Sequence, residues 1–167
     1  RFLPASFRAE DSAQSYQPSS RAEALTRICQ AAQPFGQPAG LEWHDASLVL
    51  RLSQGDFQML LTGDLEKSGE DWLVEQARPA TQNPLRCTIL DAGHHGASNA
   101  TGEALLDLAQ PELVLISCGK NNRYGHPAPE TLKRLEERGI RWYSTAEVGA
   151  IQVHVGKKKV KIETSRI

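Results

Sequence analysis

Two runs of alternating apolar and polar positions stand out in the middle of the chain. Leu48, Leu50 and Leu52 alternate with Val49 and Arg51, and Phe57, Met59 and Leu61 alternate along a second run. A period of two is the mark of a strand with one face in the core. Ser53-Gln54-Gly55-Asp56 between the runs has turn chemistry, so the spacing predicts a β-hairpin. Further on, Cys87 to Leu90 and Leu113 to Ile116 are compact apolar runs of the kind buried on both faces of a sheet. Arg141 to Ser144, Ala150 to Val155 and Val160 to Ile162 read as closing strands. Between them the period changes. Glu70 to Ala77, Thr101 to Ala109 (Ala104, Leu105 and Leu108 inward) and Pro129 to Arg138 (Leu132 and Leu135 inward) read as helices. Pro129 starts the last of these and Gly139 ends it.

Upstream, Ser20 and Glu23 form a capping-box pair for a helix from about Arg21 to Ala32, with Leu25, Ile28 and Cys29 as its apolar face. Pro34, Gly36, Pro38 and Gly40 end that helix and form a linker, and polar residues 1–20 read as an irregular arm. Strand and helix alternate through residues 21–167, so the class is α/β.

Composition narrows the picture only a little. The 167 residues carry 19 basic and 20 acidic side chains, a balance that calls for no polyanionic partner. The run Lys157-Lys158-Lys159, with Lys161, reads as a solvated strand end rather than a nucleic-acid contact. Cys29, Cys87 and Cys118 are odd in number and widely spaced, which excludes a disulfide framework and a zinc knuckle. No apolar run is long enough to span a bilayer, and no signal-peptide pattern opens the chain. Arg1-Phe2-Leu3-Pro4, without an initiator Met, reads as the interior of a protein.

The candidate chemistry sits where strands end. Thr62-Gly63-Asp64 follows one apolar strand, and Gly93-His94-His95-Gly96 follows another. A carboxylate and an imidazole at a sheet's edge suit a hydrolytic metal centre, because zinc takes Asp oxygen and His nitrogen. Adjacent histidines point in different directions, so one is read as a ligand and the other as a substrate or orienting group. His126, between Gly125 and Pro127, follows the next strand in a loop with Asn121, Asn122, Arg123 and Tyr124. In an α/β sheet that loop opens on the same edge, and an Arg fork matches phosphate oxygens. His44 and Asp45 read as turn residues before the hairpin, with a ligand role as the weaker alternative. His154 reads as structural, and Trp43, Trp72 and Trp142 as packing residues.

Five blocks carry a resemblance. They are Asp45-Ala46-Ser47-Leu48-Val49-Leu50, Leu60-Leu61-Thr62-Gly63-Asp64, Gly93-His94-His95-Gly96-Ala97-Ser98, Gly119-Lys120-Asn121-Asn122-Arg123-Tyr124-Gly125-His126-Pro127 and Val148-Gly149-Ala150-Ile151. From about Asp45 to Val155 the chain resembles the second half of a metallo-β-lactamase-fold hydrolase, specifically the C-terminal domain of ComEC-type DNA-uptake proteins. The resemblance implies half of an αββα sandwich. It implies two divalent metal ions, zinc or manganese, bridged by Asp64. One of the ions is held by His94 or His95, with His94 favoured as the first after the strand. It implies His126 near the metals for substrate or transition-state contact; with it, His95 is read as a second catalytic group, and Asn122, Arg123 and Tyr124 of the His126 loop as substrate contacts. The family's first metal motif, His-x-His-x-Asp-His or a variant of it, does not precede these blocks. The chain therefore reads as lacking the N-terminal half of the domain and as unable to hold a full dinuclear site by itself. Asp91 also departs from the apolar or basic residue usual before the His-His pair.

For the intact protein the reading is a metal-dependent phosphodiester hydrolase acting on DNA, the single strand that is not imported, beside a membrane channel that this chain does not contain. The rivals are a hydrolase of the same fold acting on a small ester, and a metal-free DNA-binding or assembly module. The compartment stays open: unpaired cysteines fit the cytoplasm, and the uptake analogy fits the outer face of the membrane.

Overall fold

The computed structural model describes residues 32–34, 47–78, 80–156 and 159–166. The expected arm, most of the expected first helix, the linker after Pro34, Cys29, Trp43, His44, Asp45, Lys157 and Lys158 lie outside them.

Six strands form one mixed sheet in the order β1-β2-β3-β4-β5-β6. They are β1 (Ala32–Pro34), β2 (Leu50–Gln54), β3 (Phe57–Leu61), β4 (Ile89–Asp91), β5 (Leu113–Ile116) and β6 (Arg141–Ser144). The expected hairpin is β2–β3, paired antiparallel from Leu50↔Leu61 to Gln54↔Phe57. From β3 onward the pairs are parallel. Three helices make the crossovers: α1 (Lys67–Ala77), α2 (Glu103–Ala109) and α3 (Pro129–Glu137). Each crossover steps the same way across the sheet, so connections of one hand put all three helices on one face. A short α4 (Thr145–Val148) follows β6, and β7 (Ile151–Val155) pairs antiparallel with β8 (Val160–Thr164) as a separate ribbon.

Two apolar clusters show why the buried strands lack polar alternation. Leu60, Leu90, Val114 and Ile116 meet Leu73, Val74, Leu105, Leu106 and Leu135 of the helices. Ile89, Leu113 and Leu115 meet Val160 and Ile162 of the ribbon, with Phe57, Met59, Tyr143, Ile151 and Val153 at its margin. The sheet is thus covered by helices on one face and by the β7–β8 ribbon on the other, and β4 and β5 are buried on both. Trp72 and Trp142 pack against the helix-side cluster, as expected for packing residues. Among the described residues no helix is long and apolar enough to cross a membrane.

Several expectations change. Ala32 to Pro34 is a strand rather than the end of a helix; Pro34 lies in the edge strand, where its missing N–H interrupts no central ladder. In the first hairpin run Val49 is buried and Leu48 is 56% exposed, reversing the expected phase, because regular pairing begins only at Leu50. The helix expected from Thr101 begins at Glu103, since Thr101 has φ +53 and gives its N–H to Glu70. Leu106 joins Leu105 in the core, with Ala104 and Leu108 at its edge.

The loop between β4 and α2 is irregular, yet it is held from below. Thr131 of α3 is fully buried and its hydroxyl donates to the Ala97 carbonyl at 2.7 Å. Thr131→Val is expected to strand that carbonyl and lower stability by about 1 kcal/mol, read from the urea midpoint. An unchanged midpoint would mean that the bond contributes nothing net.

Candidate functional site

The parallel strands deliver their C-terminal ends to one edge of the sheet, and the candidate residues lie there. Asp64 follows β3, His94 and His95 follow β4, and the loop with His126 follows β5. The edge is tied across strands before any candidate side chain is considered. Thr62, fully buried, donates its hydroxyl to the Asp91 carbonyl at 2.8 Å. The His94 N–H donates to the Gly63 carbonyl at 3.0 Å, and the Asp64 N–H to the Ser47 hydroxyl at 3.2 Å.

Gly93–Gly96 forms a tight turn in which His94 (φ 43), His95 (φ 59) and Gly96 (φ 79) are successively left-handed. For non-glycine residues this conformation costs about 1–2 kcal/mol each. The turn also needs its glycines. A Cβ on Gly96 would sit 3.0 Å from both Ile116 and Pro127, so the bare backbone is what lets the His126 loop close against it. Ala128 N–H completes that closure by donating to the Gly96 carbonyl at 2.9 Å.

The turn aims its two imidazoles at different partners. His95 Nδ1 lies 2.7 Å from the Ser117 carbonyl. A carbonyl can only accept, so Nδ1 carries a proton, and in the neutral ring Nε2 carries the lone pair. That Nε2 lies 3.6 Å from Asp64 Oδ1. His94 Nδ1 lies 2.6 Å from Glu66 Oε1, and Asn99 donates to Glu66 Oε2 at 2.8 Å. The rings of His94 and His95 are 6.0 Å apart, and those of His94 and His126 are 5.8 Å apart. Asp64, His94, His95 and His126 therefore form one cluster, with His95 Nε2 facing Asp64.

The electrostatics of the edge fit this crowding. Burial pushes the Asp91 carboxyl up to about 6, the Asp64 charge adds to the rise, and the His95 charge opposes it. Burial lowers the basicity of His126, and the charges of His94 and His95 lower it further.

The His126 loop divides its labour. Asn122 donates to the Gly119 carbonyl at 2.8 Å and the His126 carbonyl at 2.5 Å, while its oxygen accepts from the Tyr124 and His126 N–H groups. The Asn122 amide thus spends its hydrogen bonds shaping the loop. Tyr124 is 66% exposed, stacks on His126 at 5.9 Å and receives the Arg123 guanidinium at its hydroxyl at 2.6 Å. Arg123 and Tyr124 face solvent beside the cluster. His154 lies elsewhere, on β7, paired across the ribbon with Glu163 at 3.2 Å.

Glu66 was not singled out from sequence. It lies there between Asp64 and the helix expected from Glu70, and its only signal is standing two residues after Asp64 at a strand's end. Among the described residues no three His, Cys, Asp or Glu side chains converge into a group able to hold a metal ion. Asp64 and His95 fit two positions of such a shell, and the described residues do not complete it.

No protein-family model matches the chain. It is 39% identical over 109 residues to ComE operon protein 3 of Bacillus subtilis, which covers 65% of this chain. It is 33% identical over 121 residues to competence protein ComA of Neisseria gonorrhoeae and 28% identical over 120 residues to recombination protein 2 of Haemophilus influenzae, each covering 72% of it. The matches span only 13%, 17% and 14% of those three proteins. The chain is a homologue of one segment of much longer proteins, one of them named for competence.

Proposed function

We propose that this chain carries part of the catalytic edge of a metal-dependent phosphodiester hydrolase that acts on DNA in competence. The observation that carries the reading is the facing pair of Asp64 Oδ1 and His95 Nε2 at 3.6 Å. With Nδ1–H committed to Ser117, both atoms are acceptors, and two acceptors this close call for a cation or a proton between them. Zinc and manganese accept this oxygen and nitrogen pair. Bound there, such an ion would polarise a phosphoryl oxygen and generate hydroxide near neutral pH. The remaining ligands, for one ion or two, come on this reading from an upstream half of the same domain. The six-stranded sheet is then one half of a metallo-β-lactamase-like αββα sandwich. His126 and Arg123 are placed to meet the phosphate, and Tyr124 the adjoining nucleoside. Homology to a protein named for competence supports a place in competence; DNA as the substrate, and a membrane channel as neighbour in the longer protein, rest on the resemblance.

The test uses the chain joined to its upstream segment. Hydrolysis of linear single-stranded DNA with manganese or zinc is expected, falling about 10–100-fold or more in Asp64→Ala and His95→Ala. Cleavage of chromogenic small esters without cleavage of DNA would replace the substrate. DNA held equally well in chelator and by Asp64→Ala would replace the enzyme with a binding module.

A further inference from the structure

Glu66 occupies the N-cap of α1, with φ −107 and ψ −175, and its side chain makes no capping hydrogen bond. A Ser, Thr, Asp or Asn side chain at this position turns back to the first helical N–H groups, an arrangement that contributes about 0.5–2 kcal/mol. Glu66 forgoes it. Its Oε1 lies 2.6 Å from His94 Nδ1, and its Oε2 accepts from Asn99 at 2.8 Å, so both oxygens are directed at the loop after β4. The two partners are about three-quarters withdrawn from solvent, at 24% and 25% exposure.

We propose that Glu66 is a positioning residue that holds His94 in its Nδ1–H tautomer, with the lone pair on Nε2. An ionised carboxylate can only accept, so the imidazole facing it must present a proton at Nδ1. Asn99 fixes the rotation of the carboxylate, and the bond from His94 N–H to the Gly63 carbonyl at 3.0 Å fixes the main chain of the same residue. The ring and the backbone of His94 are thus both tied to the segment 63–66. A partly exposed ion pair would contribute only about 0–1 kcal/mol. That is too little to repay the left-handed backbone of His94, whereas directing a reactive nitrogen is the usual reason such strain is kept. His95 receives the same tautomer from a neutral carbonyl, so the two imidazoles reach one outcome by different partners.

The tautomer is read by long-range proton–nitrogen correlation spectra of the full chain, kept free of metal with chelator. A pyrrole-like Nδ1 and pyridine-like Nε2 are expected for His94. Glu66→Ala, which removes the acceptor, should shift His94 toward the opposite tautomer while the His95 pattern stays, which also reports that the turn is folded; Glu66→Gln, whose amide oxygen still accepts, should keep the pattern. An Nε2–H pattern in the unmodified chain, or an unchanged His94 pattern in Glu66→Ala, overturns the proposal. The catalytic consequence rests on the hydrolase reading. In the active protein Glu66→Ala should lower kcat about 10–100-fold with KM held, and a loss confined to KM would overturn it. Absence of any hydrolysis by the unmodified protein would count against the hydrolase reading alone, since the spectra judge Glu66 independently.

Discussion

Gly93→Ala is expected to lower folding stability by about 3 kcal/mol, near the upper end of what overpacking costs. A Cβ at Gly93 would stand 2.5 Å from the Leu65 carbonyl oxygen, a main-chain atom in the segment that joins β3 to α1. Ala100 Cβ at 3.3 Å and Glu70 Oε1 at 3.4 Å close the other sides. No rotamer change relieves a clash with backbone, so the end of β4 and the Asp64–Glu66 segment must part. For a chain of this length the melting temperature should fall by about 6–12 °C. The separation would also break the contacts that bring Glu66 to His94 and Asp64 to His95. Gly119→Ala is the control, because a Cβ there meets nothing nearer than 3.9 Å and the melting temperature should hardly move. Equal melting temperatures for Gly93→Ala and the unmodified protein would refute the argument.

Glu70→Ala is expected to cost as much, and to make the loss depend on pH. Glu70 is 3% exposed and accepts from the Thr101 N–H at 2.5 Å and the Gly102 N–H at 2.7 Å. Its removal strands two N–H groups, at about 1–3 kcal/mol for each that stays dry. Burial pushes its carboxyl up to about 7, against the backbone bonds and the Arg134 charge, which favour the ionised form. The native state therefore holds the proton more tightly than the unfolded chain does. The stability linked to that proton is complete below the ordinary carboxylate range near 4.5 and is lost as pH rises through about 7. The protonated acid still accepts both N–H bonds without the cost of burying a charge. Denaturant midpoints should thus show a larger loss for Glu70→Ala at pH 5 than at pH 8. The unmodified protein should weaken across that interval by an amount on the order of 3 kcal/mol. Asp91, raised to about 6 by burial, adds a slope of the same sign, so the variant's profile should flatten without becoming level. An equal loss at both pH values would remove Glu70 as the source.

What could be read from sequence follows from how local each determinant is. Leu113–Ile116 and Arg141–Ser144 have the bounds the sequence predicts; for Leu113–Ile116 the reason is that a short apolar run between polar breaks signals a buried strand by itself. Leu135 and Leu132 of α3 were legible for the same reason, with a proline start and a glycine stop. The phase of Val49 was not, since both faces of the hairpin carry leucines and register is decided by where pairing starts. Asp64, His94, His95 and His126 were picked out individually as polar groups at strand ends. Their gathering depends on two successive parallel crossovers, from β3 to β4 and from β4 to β5, which no single stretch encodes. The approach of His95 to Asp64 depends on two consecutive left-handed residues. Nothing in His-His announces that conformation. Glu66 was missed because its partner lies 28 positions away. Asn122 was grouped with the substrate contacts because an amide inside a loop looks the same from sequence whether it turns inward or outward.

The parallel order from β3 to β6 separates the molecule into a reactive rim and a quiet one. Gly55, in the β2–β3 turn, and Gly139, before β6, both lie at the rim where parallel strands begin, and a side chain added at either meets no atom within 4 Å. At about 3.3 Å per residue, a whole strand stands between these turns and the histidines. Both glycines have positive φ (57 and 63), so a cysteine-linked fluorophore or a surface tether belongs on the exposed neighbour Asp56, where it would leave the histidine rim facing solution. Binding partners of that rim can thus be sought on an immobilised chain whose orientation is set by the fold.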